Sequence, residues 1–452
     1  MMRAISLSEL EQPLEGSLLG ADTHFTRVFT DSRDVIDGGL FVALTGENFD
    51  GNDYVAQVVD KGAAAALVSR AADVELPQLI VADTQVALGR LGAFNRDLYQ
   101  GPLVAITGSS GKTTAKNLIS GVLSQAGETL ATSGNFNNEI GVPLTLLRLA
   151  PEHQFAVVEM GAAKSGDIAW LCELGQPSIS VLLNAMPAHL EGFGSLEGVV
   201  QTKGEIFDAL GVGDVAVINA DQEWAAGWRK RAGEARVLDF SLNGNVAAVS
   251  AFAVKPRGVA GTSFSADTPE GAIDINLQLP GTHNVANALA AIAVGLACGL
   301  DLLTIKSGLE SVAPVSGRLS VQRAPSGAVV IDDCYNANPG SARAAVDTLV
   351  ASEGRPSLLM GAMRELGPES EQMHRELGRY AREAGVSQFW GVGAELQGAV
   401  DAFGEGGRWF ADCAAAVREA PAVFAEGDTV LIKGSRGARM ERVLKALLGE
   451  EN

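Results

Sequence analysis

Between Gly108 and Thr114 the chain reads Gly-Ser-Ser-Gly-Lys-Thr-Thr, residue types that in this order suit the holding of phosphate. Gly108, Ser109, Ser110 and Gly111 let backbone N–H groups crowd around phosphate oxygens. Lys112 brings a point charge to the β- and γ-phosphates, and Thr113, followed by Thr114, offers a hydroxyl to Mg²⁺. The usual pattern is G-x-x-x-x-G-K-[ST]; here Ile106 stands where the first glycine would fall, so the loop is a shorter Gly-x-x-Gly-Lys-Thr variant. The apolar run Leu103 to Ile106 before it, and the helical pattern after it, are the setting this chemistry demands. The expected ligand is a nucleoside triphosphate.

Other polar residues gain meaning from that loop. Glu159 closes the apolar run Phe155 to Val158, at the strand end where α/β sheets place ligand contacts, and beside Thr113 it would hold Mg²⁺; a sheet-end salt bridge is the plainer alternative. His189, in Asn184 to Glu191, and Lys203, in Gln201 to Phe207, are in isolation an ordinary loop histidine and an ordinary solvated lysine. Asn135, Asn137 and Asn138 precede Gly141-Val142-Pro143 and form a polar cluster able to donate several hydrogen bonds to a substrate.

The elements that must position these groups alternate. Strands are expected at Leu40 to Leu44 and Ala65 to Val68, with a helix near Tyr54 to Lys61, before Gln100-Gly101-Pro102 breaks the pattern. From Leu103 onward, strands near Phe155, Ile179 to Leu183 and Val215 to Asn219 alternate with helices, which implies right-handed crossovers and a mostly parallel sheet. Short strands over Val246 to Leu279 suggest an antiparallel insertion, and an Ala-rich helix spans Val285 to Cys298. After a linker at Val312 to Arg318, strands at Ala328 to Ile331, Ser357 to Met360, Gln388 to Gly391 and Thr429 to Ile432 make a second, Rossmann-like α/β unit without its own phosphate loop. The expected division is 1–99, 100–313 and 314–452, all α/β, with ligands bridging the units.

Composition excludes several classes. The chain has 452 residues, 47% hydrophobic and 19% charged, as for a globular protein of several domains. A formal charge of −20 argues against a nucleic-acid partner. The start carries acids and no apolar core of signal-peptide length, and Val285 to Leu300 is too short to span a bilayer. Cys172, Cys298, Cys334 and Cys413 lie far apart without metal-ligand spacing, as expected of small core residues in a reducing, cytoplasmic compartment.

Taken together, TGSSGKTT, TSGNFNNEIGVP, VVEMGA, NAMPAHLEGFGS, TKGEIF, PGTHNVANALAA, IDDCYNANPGS and KGSRGARME resemble the Mur ligase family over nearly the whole chain. The resemblance implies three α/β domains and an ATP-driven amide synthesis. In it Thr113 and Glu159 bind one Mg²⁺, while His189 and a carbamate on Lys203 bind a second. It places Asn284 and Asn287 on the adenine side, with Arg318, Asp332 and Tyr335 also reaching ATP. Ser32, Arg33, Gly46 and Asp50 are similar to a uridine-nucleotide-binding pattern, and Asn336 and Asn338 suit a ribose or the incoming amine.

Family members that add a diamino acid carry an Asp-Asn-Pro-Arg-like motif where this chain has Asn336-Ala337-Asn338-Pro339-Gly340. The implied partners are therefore a UDP-N-acetylmuramoyl-tripeptide and D-alanyl-D-alanine, handled by a monomer. A folate polyglutamylating enzyme would not need the uridine-like pattern. An ATP-driven switch would hydrolyse ATP without an amine acceptor. One departure stands out: the family usually has Gly-Asp-Met before Glu-Leu-Gly, and this chain has Gly361-Ala362-Met363.

Overall fold

A computed structural model describes residues 2–187 and 190–450. The larger sheets have five, nine and six strands, drawn in turn from the first, middle and last parts of the chain. In the middle sheet the strand Leu103–Thr107 lies between Phe155–Glu159 and Ile179–Leu182, all parallel. Ile106 pairs with both Glu159 and Val181, so the strand ends on either side open beside the phosphate loop. Leu103–Thr107 and Val215–Asn219 are buried at every residue, as strands covered by helices on both faces must be.

The trio Val249–Pro256, Thr262–Thr268 and Gly271–Leu277 is antiparallel, as expected, but it is no separate insertion. Phe240 and Ser241 pair in parallel with Val249 and Ser250, so the trio extends the same nine-stranded sheet. The reason is apolar. Phe264, Ala266, Ile275 and Leu277 on the trio's inner face share one core with the Ala-rich helix His283–Ala297, while the outer face meets water. In the last sheet, Val329–Asp333 runs beside Asp428–Lys433, which runs beside Arg355–Gly361, all parallel; the edge strand Ser320–Arg323 is antiparallel.

The first sheet contains Leu40–Val42 and Ala65–Val68 as neighbours. The helix expected near Tyr54 is short: a 3₁₀ turn over Gly51–Tyr54 runs into Val55–Val59. The helix Thr84–Asp97, by contrast, is fastened to the middle of the chain. Asn95 Nδ2 donates to Leu146 O at 2.8 Å and Leu149 O at 3.1 Å, and Arg96 Nε donates to Gly175 O at 2.7 Å. At Gly92 a Cβ would lie 2.9 Å from Pro143 Cα. Gly92→Ala gains helix propensity of up to about 1 kcal/mol but forces backbone apart at a cost of about 1–3 kcal/mol, so a lowered Tm is the expected result in thermal denaturation.

Candidate active site

The phosphate loop turns through Gly111, whose φ of 82° is the left-handed conformation that favours glycine. A Cβ there would also lie 2.8 Å from Asn287 Oδ1. The neighbouring strand end anchors the loop. Ser109 N donates to Asn184 O (3.1 Å), Ser110 N to Asn184 Oδ1 (3.0 Å) and Ser109 Oγ to Met186 O (3.0 Å). Gly111→Ala combines a left-handed penalty of roughly 1–2 kcal/mol with that close approach. The expected outcome is a rise in the ATP dissociation constant of about tenfold or more, read by calorimetry.

Lys112 Nζ folds back to donate to Gly108 O at 2.8 Å, and burial draws its pKa down against the opposing charge of Glu159. Thr113 Oγ1 donates to Glu159 Oε2 at 2.8 Å. Asn137 Nδ2 donates to Glu159 Oε1 at 2.8 Å, and the Arg318 guanidinium, arriving from the last part of the chain, donates to Thr113 Oγ1 at 2.9 Å. A hydroxyl and a carboxylate side by side are hard oxygen donors of the kind Mg²⁺ accepts when phosphates and water complete its shell. No group of three or more His, Cys, Asp or Glu residues able to hold a metal occurs among the described residues.

These groups face a cavity of about 690 Å³. Of the residues singled out from sequence, it collects Ser109 to Thr114, Glu159 and Lys203. It also collects Asn135, Asn137, Asn138, Asn284, Asn287, Arg318, Tyr335, Asn336 and Asn338. Asn284 Nδ2 donates to Pro280 O (2.8 Å) and Asn287 Nδ2 to Asn284 Oδ1 (3.1 Å), a pair one turn apart on the Ala-rich helix. Arg318 lies over the Tyr335 ring, 4.1 Å from its centroid. Asn138 Oδ1 receives Gly141 N at 2.9 Å, opening the next helix. Asn338 caps Pro339–Val350 and donates to Ser109 O at 3.4 Å, so the last unit touches the phosphate loop directly.

Lys203 lies in the last turn of the helix Leu196–Gly204 and is only 1% exposed. Burial, with the nearby Lys112 charge, holds its amine far below the ordinary lysine pKa, so it is predominantly neutral at a far lower pH than a surface lysine. Glu205 fixes this segment by accepting from Gly166 N (2.9 Å) and Ala169 N (3.0 Å). His189 lies outside the described residues.

Other residues fall elsewhere. Gly108 contributes its carbonyl to Lys112 and does not line the cavity. Asp332 is 2% exposed and holds the linker, accepting from Gly317 N at 2.6 Å and Cys334 N at 3.2 Å. Asp333 lines the cavity in its place, because successive strand residues face opposite ways. It pairs with Lys433 at 2.5 Å, and Lys433 Nζ also donates to Asn336 O at 3.0 Å. Lys433 and His283, both on the cavity wall, were not singled out, although each lies within a motif of the family resemblance. Burial, aided by Lys433, lowers the His283 pKa to about 4, so the ring is neutral near pH 7.

Ser32, Arg33, Gly46 and Asp50 do not line this cavity. Arg33 is ion-paired with Asp31 at 2.7 Å, and Ser32 O receives Lys61 Nζ at 2.9 Å. Asp50 accepts from Asn52 N at 2.9 Å and pairs with Arg70, beside the Gly46 turn on which the exposed Phe49 ring rests.

A phosphate loop at the centre of a parallel sheet, with an arginine delivered to it from a second α/β unit, defines a nucleotide-dependent enzyme that works between domains. The chain belongs to the Mur ligase family. Its residues 24–92 match the Mur ligase family catalytic domain, 106–295 the Mur ligase middle domain and 317–436 the Mur ligase glutamate ligase domain. The UDP-N-acetylmuramoyl-tripeptide–D-alanyl-D-alanine ligase of Escherichia coli (strain K12) is 45% identical over 99% of both chains. A crystal structure of MurF from Acinetobacter baumannii superposes with a TM-score of 0.94 at 36% identity, over 99% of this chain and 100% of that one. MurF from Thermotoga maritima, solved in complex with ADP, superposes with a TM-score of 0.83 at 28% identity, over 94% of this chain and 97% of that one.

Proposed function

We propose that this chain is the ATP-dependent ligase that joins D-alanyl-D-alanine to UDP-N-acetylmuramoyl-tripeptide, yielding the pentapeptide, ADP and phosphate. The name carried by the relatives supports the substrates, since the likeness runs the full length of both chains. The observation that carries the chemistry is the Thr113–Glu159 pair beside the phosphate loop, reached by Arg318 from across the cleft.

A carboxylate is a poor acyl donor because its oxide does not depart. Transfer of the γ-phosphoryl group of ATP to the terminal carboxylate of the tripeptide gives an acyl phosphate and ADP. The amine of D-alanyl-D-alanine then attacks the acyl carbon, loses a proton and expels phosphate. Lys112 and Arg318 offset the negative charge that gathers as the carboxylate nears the γ-phosphate. Thr113 and Glu159 would hold Mg²⁺, which supplies further charge stabilisation. Burial favours the uncharged form of the Lys203 amine, which would add CO₂ and lose a proton to give a carbamate able to serve a second Mg²⁺ with His189.

On this reading the uridine end lies on residues 1–99, ATP on 100–313, and the acceptor enters with 314–452. No helix among the described residues is long and apolar enough to cross a membrane. The test is ADP formation across a panel of UDP-muramoyl peptides, folates and acceptor dipeptides. ADP release that requires both UDP-muramoyl-tripeptide and D-alanyl-D-alanine is expected; release independent of any acceptor, or with folates only, overturns the assignment.

A further inference from the structure

The helix that follows the phosphate loop carries a second lysine at position 116, four residues after Lys112. Like charges at that spacing repel, and ammonium groups are seldom buried without a specific partner. Yet Lys116 is only 5% exposed. Its Nζ donates to Thr132 O at 2.7 Å. Thr132, itself 2% exposed, accepts the Glu159 backbone N–H on its Oγ1 at 3.0 Å, and its own N–H donates to Val157 O at 3.0 Å. Thr132 also opens the loop that leads to Asn137, whose amide grips the other Glu159 oxygen. Burial lowers the Lys116 pKa while the Glu159 charge opposes this, so the two groups feel one another.

We propose that Lys116 is a positioning residue that fixes Glu159 against Thr113. It clamps Thr132 and so sets both the Glu159 backbone and the Asn137 loop relative to the phosphate-loop helix. The ring is closed: Lys116 to Thr132, Thr132 to Glu159, Glu159 to Thr113, and one helix joining Thr113 back to Lys116. Removing the clamp leaves the loop that contacts phosphate intact, because Ser109 and Ser110 are anchored from the other side by Asn184 and Met186. The loss therefore falls on the pairing of hydroxyl and carboxylate. Because this pair is read as the Mg²⁺ site, the inference rests on the function proposed above.

The experiment compares wild type with Lys116→Met and Lys116→Arg, and with Thr132→Val, which removes the hydroxyl and keeps the carbonyl. Nucleotide affinity with and without Mg²⁺, the Mg²⁺ concentration giving half-maximal ADP formation, kcat and Tm are measured. Partners that orient metal ligands typically carry about 10–100-fold in metal affinity or activity. Lys116→Met and Thr132→Val are each expected to raise the Mg²⁺ requirement and lower kcat in that range. Metal-free nucleotide affinity should stay within about twofold, and Lys116→Arg should restore part of the loss. If Lys116→Met fails to fold, Lys116→Gln, which removes the charge but keeps a polar end, decides in its place. An unchanged Mg²⁺ requirement in the folded variants, or equal losses with and without Mg²⁺, overturns the inference. A wild-type protein with no ligase activity counts against the proposed function instead, and the Mg²⁺ dependence of nucleotide binding then remains the measure for Lys116.

Discussion

Lys112→Ala is expected to lower acceptor-dependent ADP formation by on the order of 10³-fold, the scale seen when a preorganised group facing transition-state charge is removed. The fold should survive. The side chain's one hydrogen bond among the described residues goes to Gly108 O, and alanine at the start of the helix Lys112–Leu123 is a good helix former. What disappears is the charge next to the transferring phosphoryl group, partly stripped of water and therefore stronger than in bulk. Coupled ADP release and a melting curve on the same preparation check both halves. Wild-type turnover in a properly folded Lys112→Ala protein would remove the lysine from the reaction.

Lys203→Ala is expected to lose activity by about 10²–10³-fold, in line with loss of a group that holds a catalytic metal or its charge. Part of the activity should return when a short carboxylic acid such as acetate is added. Solvation sets this expectation. An ammonium that is 1% exposed beside the Lys112 cation is costly, whereas a neutral amine in that place is nucleophilic toward CO₂. A carboxylate made on the lysine, or supplied from solution into the space it leaves, presents the same two oxygens. The pH dependence has a defined sign. With its folded pKa depressed, the amine gains a proton only as pH falls well below the ordinary lysine range, so the neutral form persists to far lower pH than in an exposed lysine. Intact-protein mass spectrometry under CO₂, with and without the lysine, reports the adduct directly. An active Lys203→Ala protein indifferent to added acid would place Lys203 outside the chemistry.

Much of the frame was legible because it rests on short-range patterns. Ala65–Val68 and Val215–Asn219 fall on the residues expected, since uninterrupted apolar runs bounded by turn residues have few other uses in an alternating chain. The phosphate loop and Glu159 meet because parallel register puts adjacent strand ends side by side. The antiparallel trio was legible as strands but not as a continuation of the sheet, because joining it depends on Phe240 meeting Val249 across a loop.

Asp332 and Asp333 could not be told apart by type, and the pleat decides which one meets the cavity. Lys433 reaches the cavity only through pairing of Asp428–Lys433 with Val329–Asp333, nearly a hundred residues earlier. Lys116 lies outside the motifs, and Thr132, though it opens TSGNFNNEIGVP, is given no chemistry by it; their significance exists only in three dimensions. Asn137 was legible as a polar loop residue, but that its amide meets Glu159 and not open solvent was not.

The fastening of Thr84–Asp97 to the middle unit has a mechanical outcome. Because Asn95 and Arg96 bond to carbonyls of that unit and Gly92 lies against Pro143, a load on the first unit passes directly into the middle one. By contrast, Arg318 and Asn338 reach Thr113 and Ser109 across the same gap, so any parting of the last unit from the middle one breaks both bonds together.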